Sequence, residues 1–167
     1  GGADMARVIR DVVALLNRLI QMHYDAIDAC KAAVAEVADP TDRAQLSVAL
    51  EDHRGHIDEL AVVVRNLGGE PASQGRLKVT VRARRTPEVG LVHPSTELDQ
   101  SLLEAFRRKE EGARAAYEDA TSLPGVPLDV LAALERNLAD ERKHLAWVVD
   151  RLRSGIDVEG DVASSLK

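Results

Sequence analysis

An eight-residue motif occurs twice in the chain and constrains its fold more than any other feature. The first copy is Leu50-Glu-Asp-His-Arg-Gly-His-Ile57 and the second is Leu138-Ala-Asp-Glu-Arg-Lys-His-Leu145. Each copy places two metal-capable side chains three residues apart, and residues with that spacing share one face of a helix. The motif therefore predicts two related helices that present ligands to a common centre.

Apolar residues recur at spacings of three and four along four stretches of the chain, which is typical of helices that bury one face. They predict an all-α four-helix bundle with helices at about Met5–Val37, Asp42–Leu67, Ser95–Thr121 and Leu128–Leu152. Short loops make helices 1 and 2, and likewise helices 3 and 4, antiparallel neighbours. The long connection over residues 70–95 should cross the bundle, so that helix 3 runs parallel to helix 2.

Several helix ends carry local signals. Thr41 is the expected cap of helix 2, and the pair Gly68-Gly69 should stop that helix. Gly155 should end helix 4. These signals predict a bundle domain of residues 1–155 followed by a flexible tail of residues 156–167.

The long connection contains a segment that alternates apolar with polar or basic residues, Arg76–Arg82. This alternation predicts a short strand that covers the bundle. A basic cluster follows, made of Arg82, Arg84 and Arg85. It suits an anion or a partner, or it is an ordinary solvated face.

The composition narrows the class of protein. The chain has 167 residues, which suits one domain with a single core, and its net charge is -6. An acidic balance argues against nucleic-acid binding, and no apolar run is long enough for a membrane span or a signal peptide. The single cysteine, Cys30, cannot form an internal disulfide. We expect a cytoplasmic protein whose partners are metal ions and further copies of itself, rather than nucleic acid or a membrane.

Six ionisable residues occupy stripe positions where a bundle normally keeps apolar side chains. They are His23, His53, His56, Glu110, Glu141 and His144. Counted from the two short loops, all six lie at about the same depth. Burying so many unpaired ionisable groups would be very costly, so they either bind a metal ion or form a buried network of His–Glu pairs. The fifth histidine, His93, falls in the connection and is expected to be exposed.

The second half of the chain resembles the ligand pattern of ferritins and bacterioferritins. The matching residues are Glu110-x6-Tyr117 and Glu141-x-x-His144. The resemblance implies a ferritin-like bundle. Three longer segments are similar to an uncharacterised bacterial ferritin-like family, namely Leu16-Asn-Arg-Leu-Ile20, Leu67-Gly-Gly-Glu-Pro71 and Glu111-Gly-Ala-Arg-Ala-Ala-Tyr117.

The first half departs from that pattern. His23 stands where ferritins have Glu, and His53-x-x-His56 replaces Glu-x-x-His. A di-iron site of this fold uses about four carboxylates, whereas this chain offers two. Because a neutral imidazole carries no negative charge and does not bridge two ions as a carboxylate does, one metal or an unequal pair is expected.

The resemblance implies a metal-binding protein, with iron oxidation or metal handling in oxidative stress as its function and iron or zinc as its cofactor. The three histidines of the first half suit zinc, copper or iron. The set Glu110, Glu141 and His144 suits non-haem iron. No residue is assigned a catalytic role, and enzymatic activity is left open.

Four further side chains have candidate supporting roles. Asp52, Asp140 and Glu59 lie near the ligands in sequence and could orient them. For Asp52 and Asp140 we favour the interpretation as ordinary helix-surface charge. Tyr117 could hydrogen-bond a ligand or simply pack.

A second hypothesis is a non-catalytic bundle that uses a structural metal or a buried His–Glu network and acts as a homodimer or larger homo-oligomer. Its interface would include helix 1 or the Arg76–Arg82 strand. A third hypothesis concerns the C-terminal Ser-Leu-Lys, which faintly resembles the cargo tags of encapsulin-associated ferritin-like proteins.

Overall fold

The computed structural model describes residues 1–76 and 95–165 of the chain, and these residues form four helices. The helices are α1 (Gly2–Glu36), α2 (Pro40–Asn66), α3 (Ser95–Thr121) and α4 (Leu128–Ser165). The prediction of an all-α four-helix bundle is confirmed. Apart from Arg76, the predicted strand and the basic cluster lie outside the described residues, as does His93. Within the described part, each helix is too short or too polar to cross a membrane.

Hydrogen bonds at one end of the bundle establish the direction of the helices. The Asp99 carboxylate, near the start of α3, accepts hydrogen bonds from the backbone N–H groups of Ala38 and Asp39 at 2.9 and 3.0 Å. Late in α4, Arg151 donates to Asp42 at the start of α2, at 2.8 Å. Because α2 and α3 begin at the same end of the bundle, they run parallel, as predicted, and α2 ends at the opposite end from the start of α3.

Two helix ends differ from the sequence prediction. Asp39, not Thr41, caps α2, and its carboxylate accepts hydrogen bonds from the N–H groups of Thr41 and Asp42. Pro40 then takes the first helical position, where its fixed φ suits a helix. Helix α4 continues past Gly155 to Ser165, because one glycine costs a helix only about 1 kcal/mol relative to alanine. The division of the chain at residue 155 into bundle and tail stays a prediction.

The segment after α2 is attached to α1. Gly68 has φ +83°, a left-handed conformation that favours glycine at the end of a helix. A Cβ on Gly69 would lie 2.6 Å from Cγ1 of Val13. The Asn17 amide donates to the carbonyl of Glu70 at 3.0 Å and accepts from the N–H of Ala72 at 2.8 Å. Two of the segments that carry the family resemblance therefore contact each other here.

The core consists of two apolar clusters on either side of a polar layer. One cluster lies towards the start of α1 and includes Leu16, Ile20, Leu60 and Leu134. The other lies towards the end of α1 and includes Cys30, Leu46, Phe106, Val148 and Leu152. The inward stripe of α3 is buried throughout, and consists of Leu103, Phe106, Glu110, Ala113, Tyr117 and Ala120. A strict repeat of apolar residues places Val63 of α2 and Leu131 of α4 inward, but the neighbouring Val64 and Val130 are buried more deeply.

Replacing Gly69 with alanine should lower the free energy of unfolding by about 1–3 kcal/mol, because the added methyl overlaps the stiff side chain of Val13. Gly112→Ala is the matched control. Gly112 is exposed inside α3 with no neighbouring atom within 4 Å of an added Cβ, so alanine should stabilise the protein by about 0.5–1 kcal/mol. Urea unfolding of both variants checks the pair, and equal effects would contradict the close approach of Gly69 to α1.

Candidate metal centre

The six residues selected from the sequence meet in the polar layer at the middle of the bundle. Each helix contributes: His23 comes from α1, Glu110 from α3, and the two motif copies supply pairs from α2 and α4. All six are buried, and His144 is the most accessible at 7% exposed. The helical stripes place them there because residues three, four or seven apart share a face. The members from α2 and α4 are His53, His56, Glu141 and His144.

The two motif copies are linked crosswise. His56 of α2 donates from Nε2 to the Asp140 carboxylate of α4 at 2.9 Å, and His144 of α4 donates from Nε2 to Asp52 of α2 at 2.8 Å. Because a carboxylate only accepts, each Nε2 carries a hydrogen. Asp52 and Asp140 are 39% and 42% exposed at the rim of the layer. Their interpretation as ordinary surface charge is wrong, since each orients a histidine of the other helix.

The third residue considered as a support does not reach the layer. Glu59 pairs instead with Arg136 at 2.5 Å, on the outside of the bundle between α2 and α4. The sequence prediction for Glu59 is therefore corrected to a surface ion pair, of a kind that contributes little to stability.

A string of hydrogen bonds runs through the layer from α4 to α3. Asn137 donates to the Tyr117 hydroxyl at 3.2 Å, and this hydroxyl lies 2.5 Å from Nε2 of His23. Nδ1 of His23 lies 2.9 Å from Nδ1 of His53, whose Nε2 lies 2.9 Å from Glu110 Oε1. With Glu110 ionised, every bond of the string has one donor and one acceptor when the Tyr117 hydroxyl donates to His23, His23 donates to His53, and His53 donates to Glu110. Of the two roles considered for Tyr117 from the sequence, the structure therefore shows the hydrogen bond to a candidate ligand, His23.

The two glutamates differ in their affinity for a proton. Burial disfavours the Glu110 carboxylate, but the neighbouring imidazoles of His144 and His53 outweigh burial and hold the pKa of Glu110 well below its usual range. Burial, together with the neighbouring Glu110, raises the pKa of Glu141 to about 7. Glu141 therefore takes up a proton near neutral pH while Glu110 stays ionised, which limits the negative charge inside the bundle.

The histidines also differ. Burial and the neighbouring His53 and His56 keep the pKa of His23 well below its usual value, so His23 is neutral. Burial disfavours protonation of His144, but Glu110 and Asp52 outweigh it and raise the pKa of His144 to about 9. The layer therefore holds its own positive charge beside Glu110.

Geometry defines two overlapping groups of donor atoms. Within each group, one ligand atom from every member lies within 4.8 Å of the others. The first group is His23, His53, His56 and Glu141, and the second is His53, Glu110, Glu141 and His144. Every side chain in the two groups is buried. Imidazole nitrogens and carboxylate oxygens are ligands that zinc and iron accept.

Five buried atoms of the layer test whether these residues fit a metal. Nδ1 of His56, Nδ1 of His144, Oε2 of Glu110 and both carboxylate oxygens of Glu141 have no hydrogen-bond partner among the described residues. Buried polar atoms in native proteins are normally paired. All five belong to side chains of the two donor groups, so the residues fit a bound cation.

Solved structures with this fold define its class. A ferritin-like diiron-carboxylate protein from Bacillus anthracis has a TM-score of 0.68 and 21% identity, over 87% of this chain and 97% of that chain. A dodecameric thioferritin from Bacteroides fragilis has a TM-score of 0.71 and 17% identity, over 95% and 92%. A bacterioferritin from Desulfovibrio desulfuricans has a TM-score of 0.60 and 20% identity, over 95% and 87%. The chain is therefore a ferritin-like four-helix bundle.

A family model assigns the chain more closely. Residues 11–122 match the family described as "Domain of unknown function (DUF2383)". The match covers more than half of the chain, and the protein belongs to this family. No curated protein sequence matches it. The resemblance to an uncharacterised ferritin-like family is thus confirmed.

Tyr117→Phe should lower the free energy of unfolding by about 1–3 kcal/mol, because it leaves buried His23 and Asn137 without their shared partner while changing little volume. Tyr24→Phe removes a hydroxyl from a partly buried position of α1 outside the layer and serves as the control. Chemical denaturation of metal-free protein compares the two variants. Equal stability of Tyr117→Phe and the parent would argue against the hydrogen-bond string.

Proposed function

We propose that this protein binds iron in the polar layer of its bundle and handles it there as a redox-active metal. The ferritin-like fold and the buried His/Glu cluster support metal binding. Two of the similar structures are described as a diiron-carboxylate protein and a bacterioferritin with a diiron site. Iron is therefore favoured over zinc for the layer as a whole.

The observation that carries the proposal is the set of five unpartnered donor atoms. Leaving one buried polar atom unpaired costs about 1–3 kcal/mol, and here five lie in one layer. A divalent cation satisfies such atoms together, since its ligands are deprotonated carboxylates and neutral imidazoles. No other cluster of three or more His, Cys, Asp or Glu side chains with this geometry occurs in the described part of the chain.

The residues of the layer have separable roles in this function. Glu110, Glu141 and His144 would hold iron, with His23, His53 and His56 as the further donors. Asp52 and Asp140 orient the histidines from the rim. The two apolar clusters keep water from the layer on both sides. Bound iron would supply one-electron chemistry between its ferrous and ferric states.

A buried network without metal is the rival explanation, and one observation favours it. The string of hydrogen bonds from Asn137 to Glu110 provides partners for both ring nitrogens of His23 and His53 and for the Tyr117 hydroxyl without any cation. Such a network predicts that the layer contributes to stability by hydrogen bonding alone. The two explanations differ in how the protein responds to metal.

The decisive experiment combines elemental analysis with thermal unfolding. Protein purified without chelator should contain iron, and its melting temperature should fall with EDTA and recover with added Fe²⁺, because a ligand that binds the native state stabilises it by mass action. Glu141→Ala should remove both the metal and the metal-dependent shift while leaving the helices intact. Glu135→Ala, an exposed position on the same helix, is the matched control and should retain both.

The rival network predicts a different result. The parent protein would melt at one temperature with EDTA, Fe²⁺ or Zn²⁺, and Glu141→Ala would change stability to the same extent under all three conditions. That result would exclude iron binding at the layer.

We propose further that the chain forms a homo-oligomer. Val48 and Val62 of α2 are each 53% exposed and lie two heptads apart, hence on one side of the helix. One similar structure is described as dodecameric. The interface predicted from the sequence involves α1 or residues 76–82, and the exposed valines add α2 to it.

Light scattering should give a mass above the 18.1 kDa of one chain. The double variant Val48→Glu, Val62→Glu should have a lower mass than the parent. A monomer at all workable concentrations contradicts assembly.

A further inference from the structure

We infer that the polar layer contains two unequal metal positions joined by Glu141, one rich in nitrogen donors and one rich in oxygen donors. This inference rests on the metal binding proposed above. It differs from the four-carboxylate pattern of di-iron bundles, in which the two positions are alike.

The carboxylate of Glu141 faces both ways. Its Oε1 lies 3.3 Å from Nδ1 of His56 and 3.6 Å from Nδ1 of His53, both on α2. Its Oε2 lies 3.9 Å from Nδ1 of His144 on α4. Both oxygens are buried and have no hydrogen-bond partner among the described residues. One carboxylate thus offers one donor to each side.

The orientation of His53 assigns it to one side. Its Nδ1 lies beside His23 and beside Oε1 of Glu141. Its Nε2 hydrogen-bonds Oε1 of Glu110 at 2.9 Å. A cation on the α1–α2 side would replace the hydrogen bond between Nδ1 of His23 and Nδ1 of His53, which lie 2.9 Å apart. Oε2 of Glu110 remains unpartnered, 3.4 Å from Nδ1 of His144. His53 therefore joins the α1–α2 side, although its ring also lies near the other group.

The donor composition of the two positions follows from these orientations. The first position has three imidazoles, from His23, His53 and His56, with one oxygen of Glu141. The second has one imidazole, from His144, with one oxygen each from Glu110 and Glu141. Nitrogen-rich four-donor sites suit Zn²⁺, whereas two carboxylates with one histidine suit Fe²⁺, and oxygen donors favour Mn²⁺.

His56 and His144 provide a matched pair of probes. They occupy the same place in the two motif copies, and each is held from the rim by an aspartate of the other helix. Each presents an unpartnered Nδ1 to the layer, one at each position. Glutamine at either residue removes one imidazole while keeping a polar side chain of similar length.

The experiment titrates metal-free protein with Zn²⁺ against a chromophoric chelator, and separately with Mn²⁺ followed by electron paramagnetic resonance. The parent should bind Zn²⁺ in two unequal steps per chain. His56→Gln should weaken the tighter Zn²⁺ step by about 100-fold or more and leave Mn²⁺ binding nearly unchanged. His144→Gln should weaken Mn²⁺ binding and leave the tighter Zn²⁺ step nearly unchanged. Glu141→Gln should weaken both steps.

Rim variants provide a second route if a histidine variant fails to fold by circular dichroism. Asp140→Ala should weaken the step that depends on His56, and Asp52→Ala the step that depends on His144, each by about 10–100-fold. If the variants of the two copies all weaken one and the same Zn²⁺ step, the layer is a single shared position and the inference is overturned, although metal binding stands. If the parent binds neither ion, the proposed function itself is wrong.

Discussion

The structure depends on how ionisable side chains are compensated at the middle of an apolar bundle. Removing one partner of a buried charge pair costs several kcal/mol, so every charged member of the layer requires a neighbour. Here the members compensate one another, because carboxylates alternate with imidazoles and the rim aspartates bind the outward nitrogens. The apolar core is therefore divided into two clusters, each limited by the layer.

The layer also determines the register of the helices. Apolar contacts are non-directional and tolerate small displacements, whereas hydrogen bonds of 2.8–2.9 Å require particular atoms to meet. One helical turn is about 5.4 Å, so sliding any helix by a turn would break its bonds in the layer. Asp99 at one end of the bundle and Asn17 near the middle of α1 maintain this register, by bonding the backbone of the loop before α2 and of the segment after it.

The sequence predicted most of the layer, for a physical reason. A side chain that shares a helical stripe with leucines must point inward, which located all six ionisable residues. Asp52 and Asp140 could not be found in this way, because the residue preceding a ligand is rotated by about 100° around the helix. Their partners lie across the seam between α2 and α4, which becomes visible only when the two helices are placed together.

The helix ends show a related limit. A strict heptad drifts from the true helical repeat by about 20° per heptad, and Val64 is accordingly buried more deeply than Val63 near the end of α2. Near the start of α4, Val130 is likewise buried more deeply than Leu131. At Gly155 the local signal predicts a helix end, but a single unfavourable residue does not outweigh the helical preference of its neighbours.

The crosswise bonds between the motif copies mean that neither half of the chain contains its own complete ligand set. The aspartate of each copy orients the histidine of the other, so a change at Asp52 is felt at His144, 92 residues away. The two layer residues that differ between the copies, His53 and Glu141, therefore lie within a frame of paired bonds that neither half of the chain forms alone.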